Sequence, residues 1–232
     1  MDFVYICKDG DNEELRYSIR SVVKNTNYHN IWVVGGKPDW YIGNYIDVKQ
    51  DKNIYANVFN NMKAICLSNN ISENFVLMND DFFIMKKIEH INNYNGGLLL
   101  DKIEKYEDLT GRTLYINKLN NTYSKLIDLG INKPLNYELH IPILINKNKL
   151  NKVLKDARFC SFRSIYGNMF LKDTESIDDV KVYSKGKLET ISYKYSNNSI
   201  YLSSQDESFI QILPILNKKF NKPSIFEEDK FN

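Results

Sequence analysis

Asp80 and Asp81 stand side by side where one apolar run, Phe75-Val76-Leu77-Met78, passes through Asn79 and gives way to another, Phe82-Phe83. The first run has the length and character of a buried strand rather than a helix. An unpaired carboxylate inside such a strand is costly or is driven to neutralise. The pair is therefore expected at the strand's C-terminal end, where open α/β sheets bind ligands. Two carboxylates there suit a hard divalent cation, which takes oxygen ligands and bridges to substrate phosphates. The plainer alternative is a turn in which one carboxylate caps neighbouring amides.

Other residues carry chemistry more weakly. Arg16 and Arg20, four apart, share one face of a predicted helix and either meet phosphate or form a solvated basic stripe. Arg158, Arg163 and Tyr166 gather cationic and aromatic groups. Arginine's bidentate fork suits a pyrophosphate or phosphate group, and helix packing is the alternative. Asp206 is either an acid or base or a helix-capping residue. His140 lies in a predicted strand, Tyr137 to Ile145, where a lone histidine is ordinarily a packed core residue. Lys181, Lys185, Lys187 and Lys194 alternate with Tyr183, Tyr193, Tyr195 and Tyr201. That interleaving could track a nucleic-acid or glycan chain, or mark a hairpin with a lysine-protected edge. Asp9, Asp11 and Glu13 open like a calcium loop, but the twelfth position from Asp9 is Arg20, so that motif is rejected.

These residues need elements to hold them. Phe3 to Cys7 reads as a first core strand, followed by the turn Lys8-Asp9-Gly10-Asp11-Asn12. Leu15, Ile19, Val22 and Val23 predict a helix over Glu13 to Asn25, capped by Asp11 or Asn12. Ile31 to Val34 is a second strand ending in Gly35-Gly36, without the pattern of a dinucleotide fingerprint. Tyr45 to Val48 is a short edge strand. Asn53 to Ser68 is a helix with Ile54, Val58, Met62, Ile65 and Cys66 inward. The acidic strand follows, and the alternation predicts a parallel α/β sheet. Further on, Asn92 to Leu100 reads as a loop, Leu109 to Leu129 as a helix and Asn148 to Ala157 as another. Val180 to Tyr201 reads as short β-rich or loop structure. Ser203 or Ser204 would cap a helix over Glu207 to Asn217 that Pro214 kinks or ends.

Composition bounds the possibilities. The chain has 232 residues, 43% hydrophobic and 26% charged, with a formal net charge of +2, as expected of one globular domain. That charge is too small for a strongly basic nucleic-acid-binding field, although a local patch is compatible with it. Three dispersed cysteines, Cys7, Cys66 and Cys160, point to free thiols rather than a disulfide framework. No leader-like start and no membrane-length apolar run is visible, so the expectation is a cytoplasmic protein. No internal repeat or linker divides the chain.

Four blocks in order resemble one family. They are Val4-Tyr5-Ile6-Cys7-Lys8-Asp9-Gly10-Asp11, Leu15-Arg16-Tyr17-Ser18-Ile19-Arg20-Ser21, Ile31 to Trp40 ending in Pro38-Asp39-Trp40, and Phe75 to Phe83 with Asn79-Asp80-Asp81-Phe82-Phe83. Together they resemble the Stealth family of sugar-phosphate transferases and the short phage and bacterial glycosyltransferases of GT-A type. Glu138-Leu139-His140-Ile141-Pro142 and the segment Arg158 to Asn168 resemble the family's downstream elements. The long extensions of capsule-polymer members are absent, which favours a minimal glycosyltransferase over a phosphotransferase.

The resemblance implies a GT-A-like, Rossmann-like fold: a mostly parallel sheet flanked by helices, with a C-terminal elaboration. It implies a single domain over 1–232, with residues 1–100 serving nucleotide sugar and metal and 101–232 the acceptor side. The implied reaction moves a sugar from a nucleotide-diphosphate sugar to a hydroxyl of a glycan, wall polymer or modified DNA base. A divalent cation, Mn2+ or Mg2+, would be held by Asp80, Asp81 and His140. Asp9 would contact base or ribose, and Arg16, Arg20, Lys63 or Arg163 phosphate. If the transfer inverts, His140 or Asp206 would serve as base, while a retaining enzyme could do without one there. A sugar-phosphate transferase and a non-catalytic nucleotide-, glycan- or nucleic-acid-binding module are the alternatives.

Overall fold

A computed structural model describes residues 1–107, 113–157, 159–183 and 199–228. Arg158 and the lysines and tyrosines between 184 and 198 lie outside the described residues, as does the start of the helix expected from Leu109. The chain packs as two compact units. The first comprises Met1–Ile91, His140–Ile145 and Val180–Asn232, and the second Asn92–Leu139 and Asn146–Asp179.

The first unit is built on a five-stranded sheet in the order β3-β2-β1-β4-β7. Its strands are β1 (Asp2–Cys7), β2 (Ile31–Gly35), β3 (Asn44–Asp47), β4 (Asn74–Asn79) and β7 (Ile143–Asn146). The pairs β1–β2, β2–β3 and β1–β4 are parallel. Strands β1 and β2 and the middle of β4 are buried almost throughout, as their unbroken apolar runs require of a sheet covered on both faces. Helix α1 (Glu13–Asn25) buries Leu15, Ile19 and Val22, and α2 (Ile54–Leu67) buries Met62 and Ile65. Ile54, expected inward, is 68% exposed because it occupies the first turn of α2, clear of the sheet. The mixed α/β class with a mostly parallel sheet is as the alternation predicts.

The register decides where the acidic pair lies. Cys7 stands opposite Gly35, and Ile6 opposite Asn79. The C-terminal ends of β1, β2 and β4 therefore share one edge of the sheet. The chain leaves β1 toward β2 on one side and returns to β4 on the other, so the order reverses between β1 and β4. Such a reversal opens the crevice in which α/β sheets bind ligands. Asp80 and Asp81 form the turn after β4, and Lys8 to Asn12 the loop after β1.

After the acidic turn the chain enters a second, three-stranded sheet, β5-β10-β9, made of β5 (Phe82–Ile84), β9 (Lys181–Val182) and β10 (Tyr201–Ser204). It packs through Phe83, Val182 and Leu202 against Tyr17 of α1 and against Ile212 and Leu216 of α7 (Asp206–Lys219). Ser203 and Ser204 belong to β10 and do not cap this helix. Gln205 stands at its N-cap, where its backbone N–H donates to Ser208 Oγ at 2.8 Å. Pro214 does not end the helix. Ile212 and Leu216, fully buried on either side of it, hold α7 against the sheet, and this packing outweighs the local cost of proline.

The second unit contains α3 (Leu99–Glu107), α4 (Thr113–Asp128), α5 (Lys147–Asp156), α6 (Phe162–Phe170) and the two-stranded parallel pair β6 (Tyr94–Asn95) and β8 (Glu175–Ser176). The span Asn92 to Leu100 thus contains β6 and the start of α3 as well as loop. The strand expected over Tyr137 to Ile145 is restricted to β7. Side chains of α6 satisfy the backbone at Tyr137, whose N–H donates to Ser164 Oγ at 3.1 Å and whose carbonyl accepts from Arg163 Nε at 3.1 Å. Those groups are then not available to a strand ladder. Among the described residues, no helix is long and apolar enough to cross a membrane.

Candidate functional site

Asn12 is the local organiser of the edge. As N-cap of α1, its Oδ1 accepts from Leu15 N–H at 3.0 Å. The other end of the same amide, Nδ2, donates to Asp80 Oδ2 and to Cys7 Sγ. One side chain thereby ties the start of α1 and the end of β1 to the first acidic residue. Burial and the charge on Asp81 push the Asp80 carboxyl up, against the Asn12 hydrogen bond. Burial and the charge on Asp80 likewise push the Cys7 thiol up to about 12, which leaves it protonated and unsuited to act as a nucleophile.

Asp81 is buried, and its two oxygens differ. Oδ2 takes Lys181 Nζ at 2.8 Å and Ser203 Oγ at 3.2 Å. Both partners are delivered by strand register: Ser203 of β10 stands opposite Phe82 of β5 and opposite Lys181 of β9. Oδ1 is buried and, among the described residues, has no hydrogen-bond partner. A bare carboxylate oxygen in a buried setting is costly, and a hard cation would satisfy it. Asp80 and Asp81 therefore fit a divalent cation that takes few protein ligands and completes its shell with water and substrate phosphate. Among the described residues, no three His, Cys, Asp or Glu side chains group closely enough to form a full protein cage.

A third carboxylate feels the charge of the pair. Glu14, in the first turn of α1, accepts from Ser204 Oγ at 2.9 Å. Burial pushes it up to about 7 against that hydrogen bond, with the charges on Asp80, Asp81 and Asp206 adding to the rise. A cleft of about 260 Å³ is walled by residues 8–14 together with Asp206 and Phe209, and it reaches the acidic pair through Asn12 rather than being lined by it.

The expected site residues are distributed as follows. Asp9 is exposed on the cleft wall. Asp206, the first residue of α7, is exposed and lies 3.4 Å from Lys8 Nζ. His140, half-buried, meets Phe82 edge to face with ring centroids 6.3 Å apart, next to the acidic turn. Arg16 and Arg20 converge instead on Glu227: Arg16 Nη1 at 3.1 Å, Arg20 Nη2 at 2.6 Å and Arg20 Nε at 2.8 Å. Arg16 also lies over the Trp40 ring, 4.3 Å from its centroid. Lys63 is exposed on α2 over the Phe59 ring. Arg163 is buried in the second unit on the Tyr137 carbonyl.

Lys181, Ser203, Ser204 and Glu227 are contacts that no local pattern in the sequence predicts, since each partner lies between 100 and 211 residues away. Asn12 was visible as a cap but not as a partner of Asp80.

No family model matches the sequence, and no curated relative matches it. Solved structures to which the chain is similar include the glycosyltransferase GlyE of Streptococcus pneumoniae, at 10% identity, over 95% of this chain and 60% of that one, with a TM-score of 0.46. The chain thus spans less than two thirds of GlyE. They also include an active-site variant of LgtC, at 12% identity over 98% of this chain and 85% of that one, with a TM-score of 0.45. The galactosyltransferase LgtC in complex with donor and acceptor sugar analogues matches over the same spans, at 12% identity and a TM-score of 0.43.

Proposed function

We propose that the chain transfers a glycosyl group from a nucleotide-diphosphate sugar to a hydroxyl acceptor, with Asp80 and Asp81 holding Mn2+ or Mg2+ against the donor's diphosphate. The observation that carries this reading is the half-used carboxylate of Asp81, buried beside Asp80 at the reversal of a parallel sheet. The order of motifs from Val4 to Phe83 supports it. The bound cation would supply Lewis-acid stabilisation of the charge that develops on the departing nucleotide.

The chain's own residues supply position. Asn12 aims Asp80, while Ser203 aims Asp81. Asp9 on the cleft wall takes the base or ribose, and Lys8, the cation among the described residues of that wall, faces phosphate. His140 beside Phe82, or Asp206 across from Lys8, accepts the acceptor hydroxyl's proton if the transfer inverts. Arg16, Arg20 and Arg163 build the frame in this reading, because their guanidinium groups are already engaged. The acceptor class is a glycan, wall polymer or modified DNA base, and the setting is cytoplasmic.

The test is a panel of nucleotide sugars with and without Mn2+, following nucleotide diphosphate release by the wild type and by Asp81→Asn. Cation-dependent release from one donor, lost in the variant, is the expected result. Labelled β-phosphate passing into the acceptor would instead identify sugar-phosphate transfer. Donor binding without release, equal in both proteins, would leave a binding module.

A further inference from the structure

Lys181 sits where two cations cannot both fit comfortably. Its ammonium lies 2.8 Å from Asp81 Oδ2, and its side chain is 16% exposed. The position is imposed by backbone, because β9 pairs with β10 and β10 with β5, which begins at the residue after Asp81. The opposite oxygen, Oδ1, is buried and has no hydrogen-bond partner among the described residues. Asp81 therefore has one oxygen occupied by a built-in ammonium and one left for something else. A dication on Oδ1 would face that ammonium across a single carboxylate, and like charges at such separations in a partly desolvated site repel strongly.

The geometry points to Lys181 as a resident counter-ion that competes with the divalent cation for Asp81 and leaves the carboxylate when the cation arrives with a diphosphate. This inference rests on the cation reading proposed above. A cation binding alone must displace Lys181 and gives the ammonium no new partner. A cation arriving with a nucleoside diphosphate offers it phosphate oxygens. Lys181 thus couples the two ligands: it weakens binding of the bare cation and makes the diphosphate strengthen it. Coupling of this kind is reciprocal. Asp81 would then keep its ammonium partner until donor is present, with Lys181 acting as a counter-ion rather than as a cation ligand.

The experiment measures Mn2+ binding without any donor, from the electron paramagnetic resonance signal of free Mn2+. Wild type, Lys181→Met, Lys181→Arg and Asp81→Asn are compared, with thermal melts run alongside. Lys181→Met is expected to bind Mn2+ about tenfold more tightly than wild type, the scale of one modest charge interaction. It should also lose most of the gain that added uridine diphosphate gives the wild type. Lys181→Arg, which keeps the charge, is expected to restore wild-type behaviour. Asp81→Asn is expected to lose binding.

A folded Lys181→Met protein that binds Mn2+ no more tightly than wild type overturns the inference, and if Asp81→Asn still abolishes binding, the cation reading survives. Absence of Mn2+ binding in both wild type and Lys181→Met removes the cation reading and this inference with it. Wild-type protein carrying isotopically labelled dimethyl-lysine provides a measurement that does not depend on the folding of Lys181→Met. The Lys181 signal, identified by its loss in Lys181→Arg, should shift when Mg2+ binds, and a signal that stays fixed while Mg2+ binds overturns the proposal.

Discussion

Asn12 and Asn53 cap helices in the same way, which makes them a natural pair for separating stability from chemistry. Asn12 Oδ1 accepts from Leu15 N–H, and Asn53 Oδ1 accepts from Tyr55 and Ala56 N–H. Only Asn12 reaches on to Asp80. Each alanine variant is expected to lose about 0.5–2 kcal/mol in urea unfolding. Asn12→Ala should in addition reduce nucleotide diphosphate release, and Asn53→Ala should leave it unchanged. At Asp81 the change to Asn keeps the volume but removes the charge paired with Lys181. Release is expected to fall by about 10²–10³-fold in kcat, the scale of losing one electrostatic stabiliser at a reacting centre. A kcat that holds while KM rises would instead assign Asp81 to ground-state binding alone.

Elements were legible in proportion to how far local pattern governed them. Strands β1, β2 and β4 and helices α1 and α2 follow from apolar runs and spacing, because each must bury its own stripe or run against the sheet. Helix α6 and the segment before β7 did not, since Tyr137 is held by side chains from residues more than twenty-five positions away. Helix α7 contradicted a local rule at Pro214 because its anchoring contacts lie on another element. The packing of α6 gives a test at this scale. A Cβ on Gly167 would lie 2.3 Å from the buried Tyr137 ring, nearer than any real contact allows. Gly167→Ala should therefore destabilise the protein by about 1–3 kcal/mol in spite of alanine's better helix propensity. Unchanged stability in denaturant would show that Tyr137 can move aside.

Across the whole first unit, the described end of the chain is fastened back onto its beginning. Glu228 N–H donates to the Trp40 carbonyl at 2.7 Å, Ile42 N–H donates to the Phe226 carbonyl at 3.0 Å, and Glu227 receives Arg16 and Arg20. Burial alone would raise the Glu227 carboxyl. Hydrogen bonds from Arg20, from Ser224 N–H and from Arg16 outweigh it and hold the group below its ordinary value of 4.5. A depressed folded value means that this stabilisation is fully present above the unfolded value and drains away as pH falls through the folded one. Wild-type stability should therefore drop from about pH 5 downward, and Glu227→Gln should be less stable at neutral pH with a flatter acid limb. Parallel acid limbs in the two proteins would exclude the contribution.

Local pattern is enough for the α/β alternation, the end of β4 at a pair of carboxylates and the candidate cap at Asn12. Each is a consequence of neighbours along the chain: period, run length and the misfit of charge in an apolar strand. Folding in three dimensions brings Arg16 and Arg20 to Glu227, makes Arg163 a buried brace, and gives one oxygen of Asp81 to Lys181 and Ser203 while the other has no partner among the described residues. Those outcomes depend on strand register and on which charges come together at distances of a few ångströms. Spacing along the chain does not encode them, because the partners are a hundred or more residues apart at the Glu227 and Asp81 sites and are brought together only when the sheets pair.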